Sequence, residues 1–229
     1  MRVFRPDTLH DVPRPAAAYL THAIMPGAQL PHGVALTMHG HIKLGVWLPF
    51  TANETIEDGC HFRWSARVAG GVFTGSDELR GRLAASRFQL FGHIPVVTQS
   101  GPDVGQSALG RFLTEQAIWM PGSLLPDGGT HWHVDQDCRP VAMIPHAGGY
   151  GRVTLSVDVD GRLRDVSISR WGRDGARRGW LPFGMVADQE QTFGSFTVPS
   201  AGRVGWWYGT NRWPAGEFFR FSIDNYDVF

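Results

Sequence analysis

Two His-x-His triplets stand out by residue type and spacing: His39-Gly40-His41, and His131-Trp132-His133 followed by Asp135 and Asp137. Both lie in strand-like sequence. Along a β-strand, residues two apart point to the same face, so each triplet sets two imidazoles side by side. If the two strands are neighbours, four imidazoles converge on one pocket. Such a cluster suits proton transfer near neutral pH. It would also suit zinc, which takes three or four ligands in tetrahedral array, with Asp135, Asp137 or Glu115 as an oxygen ligand or orienting partner. Neither triplet extends into a longer metal motif, which shifts the balance toward acid–base chemistry without metal or organic cofactor. There, one neutral histidine takes a proton while a charged neighbour gives one, burial and mutual repulsion holding their pKa values apart. His39, His41 and His131 carry the catalytic roles in this reading, and His133 contacts substrate. The competing reading is surface histidine in a chain that has ten of them.

Glu115 is the fourth catalytic candidate. It lies in the apolar run from Phe112 to Trp119, where a carboxylate facing a core is costly unless partnered; facing solvent, it would be unremarkable. Arg63 and Arg67 share a strand face with His61 and Ser65. On an inner face they would bind a carboxylate or phenolate of the substrate; on an outer face they are solvated charges. Asp77 and Arg80 pose the same choice. Trp64, Trp119 and Tyr208 are candidates for contact with an aromatic ligand, Tyr208 also through its hydroxyl.

These residues need a scaffold. The chain has 229 residues, 42% hydrophobic and 18% charged, with nine tryptophans and fourteen phenylalanines. That is a globular composition, and the aromatics favour strands or an aromatic-lined pocket. A formal net charge of zero gives no footprint for nucleic acid. Only Cys60 and Cys138 occur, in no CxxC pair, which favours free thiols in a reducing compartment. The opening residues lack the apolar run of a signal peptide, and no stretch approaches a membrane span of about 20 apolar residues. The expectation is a soluble cytoplasmic protein, and a homodimer is compatible with it. P-loop, GxSxG and HExxH motifs are missing. Gly148-Gly149-Tyr150-Gly151 lacks a dinucleotide site's strand–turn–helix context.

Residues 1–30 form an N-terminal helical segment, since alanines and Leu20 follow Pro13 and Pro15. From residue 33 the period changes to two, predicting strands over 33–48, 59–69, 71–81 and 82–91 within a first β section, 33–98. Leu109, Phe112, Leu113 and Ala117 repeat at helical spacing after Gly101-Pro102, predicting a helix within 102–120. A second β section fills 129–229. Its strands are expected near 151–159 and 162–170, joined at Asp160-Gly161, then 179–187, 191–198, 202–209 and 216–227. No composition shift or repeat divides the chain, so 1–229 reads as a single domain. About ten antiparallel strands and two helices suggest a mainly β (α+β) fold: one strongly curved sheet or open half-barrel, which hides its edges by curling, with a helix on the concave side.

Several stretches resemble a bacterial family known as a domain of unknown function. They are Val12-Pro13 through Tyr19-Leu20; Gly40; Trp47-Leu48-Pro49-Phe50-Thr51-Ala52; Phe62-Arg63-Trp64-Ser65-Ala66; Arg111-Phe112-Leu113-Thr114-Glu115 with Trp119-Met120-Pro121; Leu124-Leu125-Pro126; Trp132; and Phe219-Arg220-Phe221-Ser222-Ile223. The resemblance implies a curved sheet like that of bacterial lipoprotein carriers, a sheet also used by a cofactor-free enzyme of violacein synthesis. It raises the interest of Glu115, which lies in a matched stretch, and does not include the strand histidines. The leading expectation is a cofactor-independent lyase, isomerase or cyclising enzyme using His/Glu acid–base catalysis on an apolar, aromatic small molecule. A non-catalytic carrier for an apolar ligand and a zinc-dependent hydrolase are the alternatives.

Overall fold

The computed structural model describes residues 2–229. Thirteen strands form one antiparallel sheet: β1 (Gly33–Leu44), β2 (Val46–Glu57), β3 (His61–Val68), β4 (Phe73–Arg80), β5 (Leu83–Leu90), β6 (Ile94–Ser100), β7 (His131–Val134), β8 (Pro140–His146), β9 (Gly149–Val157), β10 (Leu163–Asp174), β11 (Arg177–Phe193), β12 (Phe196–Trp206) and β13 (Glu217–Val228). The helices are α1 (Arg14–Ala23), α2 (Pro102–Trp119) and the single turn α3 (Trp213–Gly216). In space the strands run β6-β5-β4-β3-β2-β1-β13-β12-β11-β10-β9-β8-β7. Each half is therefore a meander, and the chain's last strand, β13, joins the halves by pairing with β1 and β12.

The fold is mainly β, one antiparallel open sheet, as the alternation predicts, with three strands more than expected. The run 33–48 proves to be two strands, broken at Gly45, whose φ of 81° suits a glycine turn. β6 and β8 were not anticipated. β11 runs unbroken through 177–193 where a strand end was expected near 187, and it absorbs the irregularity as register shifts against β12 around Gln189.

α2 explains the curvature. It packs against β4, β5 and β6 near one end of the sheet and against β9, β10 and β12 toward the other. In a flat sheet β5 and β10 would lie about 38 Å apart at about 4.8 Å per step. A helix is only about 10–12 Å across, so the sheet must wrap around it. The helix begins with Pro102 after Gly101, where proline's missing N–H costs nothing. Its second half is buried almost all round, from Phe112 to Trp119. Terminal helix carbonyls lack intrahelical partners; here the buried Tyr19 hydroxyl donates to the Ala117 carbonyl at 2.7 Å and Tyr226 to the Trp119 carbonyl at 2.8 Å. The Trp119 indole in turn donates to Pro199 O at 3.1 Å. The C-terminal end of α2 is thus fastened to α1, β12 and β13.

Candidate ligand-binding site

Inner-face side chains follow from the pleat. β2 turns Phe50, Ala52, Glu54 and Ile56 inward, β3 turns Phe62, Trp64, Ala66 and Val68, and all are buried. In the next strand Gly75, Asp77 and Leu79 keep the same register. Two carboxyl groups, Glu54 and Asp77, therefore occupy positions that alternation reserves for apolar residues.

Both meet α2. Arg111 donates through Nε to Glu115 at 2.6 Å, through Nη1 to Asp77 at 2.9 Å and through Nη2 to Glu54 at 2.5 Å. Its guanidinium also lies over the rings of Phe62, 4.6 Å from the centroid, and Trp64, at 5.5 Å. Glu54 is 2% exposed. Burial, then the neighbouring Glu115 carboxylate, pushes its pKa well above the ordinary value, against the pull of Arg111. Burial also raises Glu115, which Arg111 opposes. Glu115 keeps one oxygen, Oε2, buried without a hydrogen-bond partner. Burial alone would lower Arg111, but the carboxyls of Glu115, Glu54 and Asp77 outweigh it and raise it.

Arg170, from β10, reaches the same cluster. Its Nε donates to Ser107 O at 2.9 Å, and its guanidinium stacks over Phe183 at 4.4 Å and Trp206 at 5.1 Å. Its aliphatic stem lies against Gly110, where an added Cβ would come within 2.8 Å. Burial, then repulsion from Arg111, lowers its pKa to about 10. Two guanidiniums thus face three carboxyls.

The cluster forms one wall of a cavity of about 280 Å³ between α2 and the sheet. The remaining lining is almost wholly apolar: Ile42 and Leu44 from β1, Trp64, Phe88, Ile118 and Trp119, then Phe183, Val204, Phe218 and Phe219. Phe219 stacks on Phe50 at 4.7 Å and lies 6.3 Å from Trp64. Beside the cluster is a second hollow of about 270 Å³, lined by polar and apolar residues. It shares Asp77, Arg111 and Arg170 with the cavity and adds Ser86, Gln99, Asp103 and Arg178.

Of the residues singled out from the sequence, Glu115, Asp77, Trp64 and Trp119 line this cavity. The histidines do not. His39 and His41 alternate with the buried Met38 and Ile42, so they stand on the outer face, exposed; His39 pairs with Asp224 at 2.7 Å. His131 and His133 flank Trp132, which turns inward to donate to Leu124 O, so they too face out. His131 meets only Tyr150, at 3.1 Å. Six strands separate β1 from β7, a path of roughly 34 Å along the sheet at about 4.8 Å per step. The expected four-histidine pocket does not form. Among the described residues no group of three His, Cys, Asp or Glu side chains could hold a metal ion, so the zinc alternative lacks its ligand set.

Arg63 and Arg67 also point outward, exposed, between the buried Phe62, Trp64, Ala66 and Val68; they cannot reach a ligand in the cavity. Tyr208 packs over Gly184, on the opposite face of β11 from the cavity-lining Phe183, and edge-on to Trp213 at 5.2 Å. It too is outside the cavity. Sequence reasoning missed Arg111, Glu54 and Arg170. The first two had a signal: Arg111–Glu115 at i,i+4 in an apolar helix, and a glutamate in the inward register of β2. Arg170 had none, since it sits among other basic residues.

Fold and site together define a curved antiparallel sheet wrapped around a helix, with an apolar cavity and one ionic wall between them. The chain belongs to the Family of unknown function (DUF6544), whose model matches residues 2–218. No curated protein matches it. Among solved structures it is similar to a LolA superfamily protein from Nitrosomonas europaea, at 10% identity and a TM-score of 0.49, covering 94% of this chain and 92% of that one. It is similar to a putative outer membrane lipoprotein-sorting protein domain from Vibrio parahaemolyticus, at 7% identity and 0.46, covering 86% and 85%. A DUF1329 family protein from Desulfovibrio piger follows at 11% identity and 0.44, covering 86% of each chain.

The expectation of a cofactor-independent lyase or isomerase is corrected. Its histidines stand on the outer face far apart, and its glutamate is held by Arg111. Among the described residues no helix is long and apolar enough to cross a membrane.

Proposed function

We propose that this protein is a non-catalytic binding protein for a small apolar ligand, held between α2 and the inner face of the sheet. The observation that carries the reading is the cavity itself. Its volume of about 280 Å³ is near the lower end for small-molecule pockets, roughly 300 Å³. Ten of its sixteen lining residues are apolar, and the ionic groups are gathered on one wall. Each Å² of apolar ligand surface withdrawn from water there contributes about 25 cal/mol. Arg111 and the carboxyls it holds serve as structure in this reading, fixing α2 against β2 and β4 so that the cavity stays open.

Native mass spectrometry of freshly purified protein tests it. The expected result is an apolar molecule bound one to one and released chemically unchanged. Protein that carries nothing, and whose tryptophan fluorescence shows no saturable response to decan-1-ol, would count against it.

A further inference from the structure

The ionic wall is not symmetrical in its partners. Arg111 engages all three carboxyls, Glu54, Asp77 and Glu115, at 2.5 to 2.9 Å. Arg170 engages none: its Nε donates to a backbone carbonyl, and neither of its terminal nitrogens has a hydrogen-bond partner among the described residues. Yet it borders both the apolar cavity and the second hollow. A guanidinium offers five donors in a planar fork that matches an oxyanion. Arg170 is only partly buried, so its terminal nitrogens remain open to an acceptor that enters the site. A second donor in the same cavity wall is also idle. Trp64 is 3% exposed, and its indole N–H is buried without an acceptor, which is uncommon for a buried polar atom.

We propose, resting on the binding reading above, that the cavity takes an amphipathic organic anion: an apolar body against Ile118, Trp119 and Phe219, and an acidic group on the Arg170 guanidinium. The acidic group supplies the acceptors that Arg170 lacks. The apolar body fills space that water would occupy without hydrogen-bond partners. Residues on the hollow's side of Arg170, such as Ser86 and Gln99, leave room for a head group with more than one oxygen.

Three probes of one chain length separate the possibilities: decanoate, decan-1-ol and decylammonium, each titrated into the full-length protein by calorimetry. Decanoate should bind on the order of tenfold or more tighter than decan-1-ol, the ordinary gain from hydrogen bonds to a charged group. Arg170→Gln should bring the two within about twofold of each other. Arg170→Lys, which keeps the charge but not the fork, should retain part of the preference. Equal binding of decanoate and decan-1-ol by the natural protein overturns the anion inference and leaves the apolar-binding reading standing; this comparison needs no variant to fold. Tighter binding of decylammonium also overturns it, and assigns the head group to the carboxyls. Failure of all three probes to bind overturns the reading beneath it.

Discussion

A proton held by Glu54 is the feature of the ionic wall most open to measurement. Folding carries this carboxyl to 2% exposure beside the Glu115 carboxylate, and burial and that neighbour raise its pKa well above the ordinary value, so above about pH 4.3 the native protein should keep a proton that the unfolded chain releases. A group that binds more protons folded than unfolded makes stability fall as pH rises, by about 1.4 kcal/mol per pH unit. The fall continues for as long as folded Glu54 keeps its proton. Glu54→Gln copies the protonated shape, keeps an oxygen for Arg111, and has nothing to titrate. The two proteins should therefore be close in stability near pH 5. The variant should gain on the natural protein as pH rises from 5 to 7, by up to about 1.4 kcal/mol per pH unit while folded Glu54 keeps its proton. Urea unfolding followed by tryptophan fluorescence at pH 5, 6 and 7 gives both stabilities. Every group unaffected by the substitution cancels in the difference. A gap that stays constant over this range, or a natural protein that gains on the variant as pH rises, would refute the proton on Glu54.

Arg111→Met removes the cation from three carboxyls and should destabilise the fold by about 3–5 kcal/mol, read by the same urea midpoints. Gly40→Ala should lower stability by about 1–3 kcal/mol, because the added Cβ would sit 1.9 Å from the Arg220 carbonyl oxygen across the β1–β13 pairing; calorimetric melting shows it. His131→Ala and His133→Ala should each stay within about 0.5 kcal/mol of the natural protein and leave decan-1-ol affinity unchanged, since both side chains are exposed on the outer face.

The elements were largely legible, and the reasons differ along the chain. α2 declared itself because a helical repeat followed Gly101-Pro102, and β3 because its alternation is unbroken. The β1–β2 boundary was hidden because apolar residues continue through Gly45 to Val46-Trp47-Leu48. β6 was hidden because, as an edge strand exposed over most of its length, it carries no buried face to produce a pattern. The histidine pairs misled for a related reason. Two-residue spacing fixes that two side chains share a face; it does not say which face, or which strands are neighbours. Here both pairs share the outer face. Residues that break the inward register are a sounder signal: Glu54 and Asp77 stand where alternation calls for apolar groups, and both reach Arg111. Strand order, set by β13 returning between the two meanders, is a long-range pairing that local pattern does not encode.

The central claim is that an apolar ligand occupies the space between α2 and the sheet. Methyl NMR of the full-length protein during titration with decan-1-ol tests it most directly. The methyl signals of Ile42, Leu44, Ile118 and Val204, which line the cavity, should shift together and saturate, while those of Val141, Ile144 and Leu155, buried in β8 and β9, stay in place. Shifts confined to residues outside the cavity, or no saturable shift at those four, would contradict it.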